Sequence, residues 1–340
     1  MVRLCGCFPG VDGAGAAVTV QISNAAKREN MCKQNILLNN LIVTAGAHYL
    51  DIDAYACMVT MAELLRLQGY QAIAYSHGTN NYSVCPSLVV DGQIAKELPS
   101  PQWEKNGRYI IVDVSDPEYL AKSVPLENVV AVYDHHVGFE SYWESRIGEN
   151  ARIEFIGAAA TLIYREWQKA GLQQRMSLPA ARLLIAAILD NTLNLTSANT
   201  TAEDVEAFRA LCAHANVGRD WCDGYFAEVQ TSVEADLHNA ILNDTKILRE
   251  NPVLPAQVAQ LCVWDAENIL RRLPEIRSWF HGPWMLNLID LRNRCSWFVC
   301  DDAVDQKKIG ELFGVTFEKG VAKTSVSYLR KEIIIKTLSK

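Results

Sequence analysis

The chain has no surplus of positive charge. Its 32 Lys and Arg are outnumbered by 39 Asp and Glu, for a formal net charge of −7. That excludes a generic nucleic-acid coat, which needs a basic balance, but not a local basic pocket. No apolar run reaches the ~18 residues that cross a bilayer, so no membrane partner is expected. Met1 to Gly15 holds one Arg and no long apolar stretch, so a secretory leader is not expected either. CxxC pairs are also missing from the 10 cysteines, which removes a zinc ribbon and a redox motif. Free thiols in a reducing cytoplasm are expected instead. Cys5 and Cys7 alone stand close, and a reactive or lipid-modified pair is their alternative reading. There is no internal repeat.

What is present fits two domains. A chain of 340 residues is long for one small core. Residues 1–36 read as an extension with a Gly-rich stretch from Pro9 to Gly15. Ile36 to Thr44 is apolar, β-branched at its end, and stops at Ala45-Gly46, which predicts a buried strand and a turn. Asp53 to Gln68 carries Ala56, Met58, Met61, Leu64 and Leu65 at helical spacing, with Gly69 as C-cap. Further strands are predicted at Gln71–Tyr75, Tyr109–Val112 and Val129–Tyr133, and helices at Ala158–Ala170 and Ser177–Leu189. Such alternation predicts an α/β fold with a parallel sheet covered by helices on both faces.

Glu203–Asn216 then reads as a helix and Asp220–Leu242 as one long helix. The pattern changes near Asn243. Leu261–Trp264, Met285–Ile289 and Ser296–Cys300 read as strands, with a helical stretch from Ala266 to Phe280. The expected division is a sheet domain over 37–230 and a smaller α/β domain over 235–340.

Asp51 and Asp53, Asp113, and Asp134-His135-His136 each follow the C-terminal end of a predicted buried strand. Ligands of open parallel sheets bind beyond those ends. Solvated carboxylates have no reason to recur there. Carboxylates with one or two imidazoles suit Mn²⁺, with Mg²⁺ and Co²⁺ as alternatives, bound as one or two ions. Such ions activate water and clamp a phosphoryl group. Taken singly, Asp53 reads as a helix N-cap, and Asp116, before Pro117-Glu118, as a cap and not a ligand. Asn80 to Ser83 reads as a turn or a substrate contact. His77, His214, His238 and His281 read as structural. Trp279, Phe280, Trp284, Trp297 and Phe298 read as the second domain's core.

Four ordered segments resemble the motifs of the DHH phosphoesterase superfamily: Asp-Ile-Asp (51–53), Val-Asp-Val-Ser-Asp (112–116), Asp-His-His (134–136) and Ile-Leu-Asp-Asn-Thr-Leu-Asn-Leu (188–195). Gly157 to Thr161 is similar to that superfamily's Gly-rich helix start. Leu242 to Lys246 before an apolar strand, and Leu329-Arg330-Lys331, resemble the DHHA2 domain. That domain occurs in manganese-dependent (family II) inorganic pyrophosphatases and in the exopolyphosphatase/prune group. The Gly-Gly and His motif of the RecJ-like branch is not visible.

The resemblance covers about residues 40–340. It implies a parallel-sheet DHH domain followed by a smaller DHHA2-like α/β domain. It also implies roles. Asp51 would hold a first metal, Asp53 and His135 a second, and Asp113 both. Asp113 and His136 would be catalytic, with His136 facing the bound phosphate. Lys246, Arg330 and Lys331 would grip the anion, Arg as a planar fork and Lys as a point charge. A solvated surface pair is the plain alternative for Arg330-Lys331. Relatives of this kind are often homodimers through a sheet edge.

Two departures from the pattern fall on the first metal site. The family has His four residues before the first Asp, where this chain has Ala47, with His48 one residue closer as a substitute ligand. The exopolyphosphatase/prune group often has Asn there. Asn191 stands where the bridging Asp of the fourth motif belongs and Asp190 precedes it, so Asp190 or the neutral Asn191 would be the ligand. One tight metal is expected, with a second arriving with substrate. The expected activity is metal-dependent hydrolysis of pyrophosphate or of short or long polyphosphate. One alternative is a phosphodiesterase on short or cyclic oligonucleotides, against which the missing RecJ-type motif counts. Another is a catalytically impaired phosphate-binding regulatory protein. The retained carboxylates count against that, because buried unpaired charges are costly without a cation.

Overall fold

A computed structural model describes residues 40–46, 49–248 and 250–338. The extension over 1–36, and the start of the strand expected at 36–44, lie outside the described residues. The first half runs β1 (Asn40–Thr44), α1 (Ile52–Leu67), β2 (Gln71–Tyr75), β3 (Ile94–Ala95), α2 (Pro101–Asn106), β4 (Arg108–Val112), α3 (Pro117–Leu120), β5 (Val129–Asp134), α4 (Glu140–Ile147), β6 (Ala151–Ile153), α5 (Ala159–Lys169), α6 (Leu178–Asn191), α7 (Ala202–Ala215) and α8 (Arg219–Ala235). The remainder is α9 (Leu237–Asn243), β7 (Thr245–Ile247), β8 (Gln257–Val263), α10 (Glu267–Arg271), α11 (Leu273–Arg277), β9 (Trp284–Asp290), β10 (Cys295–Cys300), α12 (Ala303–Phe313), β11 (Val321–Lys323) and α13 (Arg330–Leu338).

The first sheet has six strands in the order β3-β2-β1-β4-β5-β6, and every pairing is parallel. β1 turns Leu41 to Thr44 fully inward, as a strand covered on both faces must. The order reverses beside β1, so the crevice of a doubly wound sheet opens beyond β1 and β4. The second, smaller domain has a five-stranded mixed sheet, β11-β10-β9-β8-β7, in which only β8 and β9 run parallel. The parallel sheet with its helices and the smaller α/β domain are as expected.

α1 and α6 are buried on nearly every face, which their apolar sequences require. Asp51 caps α1 by accepting from the Ala54 amide, and Ser177 caps α6 with Pro179 in its first turn. Gly69 follows the α1 C-cap, Gln68, at φ +92°, the left-handed conformation that favours glycine. One buried apolar cluster runs from Leu41 of β1 to Val299 of β10, so both domains share it.

Two helical expectations need correction. Residues 220–242 form two helices. Asp236 leaves helical geometry (φ −136°, ψ 48°) between α8 and α9, and its carboxylate takes bonds from Tyr82 Oη and Asn239 Nδ2. The stretch from 266 to 280 is likewise two short helices. Arg272 lies between them, and Pro274 opens the second, because proline lacks an amide donor and restricts the residue before it. Asp116 does cap α3, accepting from the Glu118 and Tyr119 amides. Phe280 and Trp284 stack in the second core. His214 bonds the Met176 carbonyl, His77 bonds Tyr75 Oη, and His238 packs edge-on to Trp279.

Candidate metal centre

Asp113 directly follows β4 in a left-handed conformation, φ 58°, which costs a non-glycine residue roughly 1–2 kcal/mol. Its amide is tied to the Tyr133 carbonyl at 2.8 Å. The strain turns the carboxylate toward β5, where Asp134 closes the strand and His135 and His136 follow. Asp113, His135 and His136 each bring a ligand atom to within 4.8 Å of one another.

The two imidazoles are held differently. His135 Nδ1 lies 3.2 Å from the Ile156 carbonyl. A carbonyl only accepts, so the proton sits on Nδ1 and Nε2 carries a lone pair. That lone pair faces Asp113 Oδ1 at 3.5 Å. Both atoms are buried and neither has a hydrogen-bond partner. Burial also pushes the His135 imidazole down to about 4, so it is neutral at ordinary pH. His136 is exposed. Its Nδ1 lies 2.8 Å from Asp134 Oδ1, which also accepts the His136 amide. The hydrogen bond to Asp134 raises the His136 pKa, leaving Nε2 on the side away from that bond.

Asp53 is wholly buried on α1. Its two oxygens accept the Ala159 and Ala160 amides at 2.8 Å, so a carboxylate of α1 caps α5 across space. An anion suits a helix N-terminus. Cys57, one turn on, points its thiol at the same carboxylate. Even so, burial and the neighbouring Asp51 push Asp53 up to about 7. Burial, then Asp53 and Asp51, hold Asp113 far above the usual carboxylate range. Among the described residues no Lys or Arg pairs with Asp51, Asp53 or Asp113. Several buried carboxylates, a neutral imidazole lone pair and two facing acceptors fit a hard divalent cation.

The fourth motif lies nearby at the end of α6. Asp190 is outside the mutually close group. Its Oδ1 accepts from Tyr225 Oη of α8 at 3.0 Å, and burial pushes the carboxyl up to about 7. Asn191 is the last residue of α6. Leu193, Asn194 and Leu195 then adopt three successive left-handed conformations. Ala47 and His48 lie outside the described residues.

A cavity of about 370 Å³ opens between the domains. His135, His136, Asp190 and Asn191 line one side, and Lys246, Arg330 and Lys331 the other. The structure thus brings the three expected cations opposite the histidines. They are not alike. Lys246 and Lys331 are exposed. Arg330 is half-buried, and its guanidinium bonds both the carboxylate and the carbonyl of Asp244.

Sequence reasoning assigned no role to Asp134, Cys57 or Tyr225. Asp134 was legible, since it opens the tripeptide quoted for the motif. Tyr225 is 35 residues from Asp190, and no local pattern joins them.

No family model matches the chain. It is 26% identical over 301 residues to a protein of Staphylococcus haemolyticus named "Probable manganese-dependent inorganic pyrophosphatase", across 84% of this chain and 93% of that one. A Deinococcus radiodurans protein of the same name is 24% identical over 311 residues, covering 85% and 95%. Among solved structures, a Methanococcus jannaschii chain carrying the name of a family II inorganic pyrophosphatase aligns with a TM-score of 0.57. That alignment has 17% identity and covers 87% of this chain and 98% of that one.

Proposed function

The chain belongs to the DHH-DHHA2 branch of the DHH phosphoesterase superfamily, and from that premise we propose that it is a metal-dependent hydrolase of pyrophosphate or polyphosphate. The observation that carries this reading is the pair of buried, unpartnered acceptors, Asp113 Oδ1 and His135 Nε2, facing each other at 3.5 Å beside further buried carboxylates.

We assign Asp51, Asp53, Asp113 and His135 to the metal, with Asp190 or Asn191 completing the first site. His48 would be a further ligand there. Manganese is the metal of choice, since both named relatives carry it in their names, and one tight ion with a second arriving with substrate remains the stoichiometry we assign. The bound ion supplies an acidified water and a positive charge against phosphoryl oxygens. The chain's own residues do the rest. His135 keeps its Nε2 lone pair available by donating its Nδ1–H to the Ile156 carbonyl, which fixes the tautomer. Asp134 favours the protonated form of His136, which can then donate from Nε2 to a phosphoryl oxygen and to the leaving group. Lys246 and Lys331 grip the anion from the opposite wall, and Arg330 anchors that wall through Asp244. We place the metal-holding domain over 37–230 and the gripping domain over 235–340, with α8 shared between them. Closure of the cleft would exclude water from the reaction. Seven free thiols among the described residues accord with a reducing cytoplasm.

The test is phosphate release from pyrophosphate, tripolyphosphate and long polyphosphate with Mn²⁺, Mg²⁺ or Co²⁺. A dinucleotide serves as control and Asp113→Ala as the paired variant. Asp113-dependent release from an anhydride is the expected result. Cleavage of the dinucleotide alone, or no turnover with metal bound, would overturn the reading.

A further inference from the structure

A second cavity, of about 570 Å³, adjoins the first through Asp190, Gln260 and Cys262, which line both. Its chemistry is opposite to that of a phosphate site. Its lining contains no Lys or Arg but three carboxylates, those of Asp190, Asp236 and Asp244. Each already has a partner: Tyr225 Oη on Asp190, Tyr82 Oη on Asp236 and Arg330 on Asp244. The cavity is therefore a poor seat for a bare polyanion, which the carboxylates would repel. Val229, Val233 and Leu261 give it apolar surface. Asn239, Asn243 and Gln260 give it amides that both donate and accept. The phenol rings of Tyr49 and Tyr82 also line it. Apolar surface, aromatic rings and a few convergent amides are the lining of a small-organic-ligand site, and the volume falls within the ~300–1,000 Å³ such sites span.

We propose that this second cavity holds the nucleoside end of a nucleoside polyphosphate whose phosphate chain lies in the first cavity. This inference rests on the hydrolase reading and names a substrate class for it. The heterocycle would lie against the tyrosine rings and apolar surface, its edge read by amides, and the sugar hydroxyls would donate to Asp236. In the reaction, water oxygen adds to the terminal phosphorus. The bridging P–O bond breaks and its electron pair stays with the nucleotide, now shorter by one phosphate. Orthophosphate leaves and one proton goes to solvent. The same repulsion makes long bare polyphosphate a poor occupant beyond the first cavity.

The test uses the whole chain with Mn²⁺ and two uncleavable probes in calorimetry, α,β-methylene adenosine diphosphate and methylenediphosphonate. Ala240→Phe, from α9, fills the second cavity, and Tyr82→Ala removes a ring from it in case the first variant fails to fold. Both variants should weaken the nucleotide probe at least ~10-fold and leave methylenediphosphonate within ~2-fold, as expected when only one cavity is altered. The proposal is overturned if the wild type does not bind the nucleotide probe. It is also overturned if neither variant changes that binding, or if both probes weaken alike. Turnover of pyrophosphate by the wild type is read separately. Its absence alongside cavity-dependent nucleotide binding sinks the hydrolase reading alone. Its presence alongside insensitive nucleotide binding sinks the second-cavity assignment alone.

Discussion

Asp113 occupies a strained backbone conformation and brings an unpartnered oxygen to the lone pair of His135. Replacing it with Asn keeps the volume and removes the charge. Asp113→Asn should lose bound manganese and reduce kcat on the order of 10²–10³, the scale of deleting one preorganised electrostatic group. Metal content by atomic absorption and phosphate release read the two effects. Full activity with full metal content would refute the assignment.

The carboxylates also make a pH prediction. Burial raises the folded pKa of Asp53 and Asp190 to about 7, above the 3.8 of an ordinary aspartate. The folded protein stripped of metal therefore holds protons that the unfolded chain releases near 3.8. Its stability should fall as pH rises from there toward 7. A bound cation favours the ionised forms, so the manganese-induced rise in Tm should grow over the same range. Melting curves from about pH 5 to about pH 8, with chelator or with Mn²⁺, check both signs.

At the scale of elements, the site depends on helix ends being tied to one another. Asp204 of α7 accepts from the Gly157 amide, Thr161 Oγ1 and the Thr201 amide and hydroxyl. It thereby pins the start of α7 to the start of α5, the end that Asp53 caps. A Cβ on Gly157 would sit 2.6 Å from Asp204 Oδ2 and 2.7 Å from Thr192 Cγ2. Gly157→Ala should destabilise the protein by about 1–3 kcal/mol, as overpacking does, with denaturant melts as the measure. α8 has a comparable duty, since Tyr225 bonds both Asp190 and the Ser83 carbonyl. Tyr225→Phe should lower metal affinity about 10–100-fold, the usual effect of losing a group that orients a ligand. Unchanged affinity in calorimetry would place Asp190 outside the metal site.

The elements were unequally legible. β1, β4 and β5 showed as continuous apolar runs because both faces of a central parallel strand are buried. β3, β6, β7 and β11 have two or three residues each and leave no periodic trace. At the break, Asp236 stands as N-cap of α9, a residue type suited to that place, and its carboxylate also takes a bond from Tyr82, 154 residues away, which no local pattern shows.

For the whole molecule, the cleft between two sheets is the decisive feature. His135, His136, Asp190 and Asn191 of the first domain line it together with Lys246, Arg330 and Lys331 of the second. Arg330 and Lys331, adjacent in sequence, should therefore part company on substitution. Lys331→Ala removes an exposed charge and should raise KM about 10-fold, the scale of one charge-assisted bond, with Tm unchanged. Arg330→Ala leaves Asp244 half-buried and unpaired, and should lower stability by about 1–3 kcal/mol as well as weakening binding. Steady-state kinetics beside melting curves separate the two. Equal behaviour would contradict the anchoring role of Arg330.

The sequence by itself determined the parallel sheet, the acidic motifs at its C-terminal edge and the second α/β domain, because strand burial and helix periodicity are local properties of the chain. Only the tertiary structure decided which nitrogen of His135 is free, that Asp53 caps a helix beginning 106 residues later, that Tyr225 holds Asp190, and that a cavity with carboxylates and no Lys or Arg in its lining adjoins the cationic one. Those depend on contacts between residues far apart in sequence, and no window of neighbouring residues contains them.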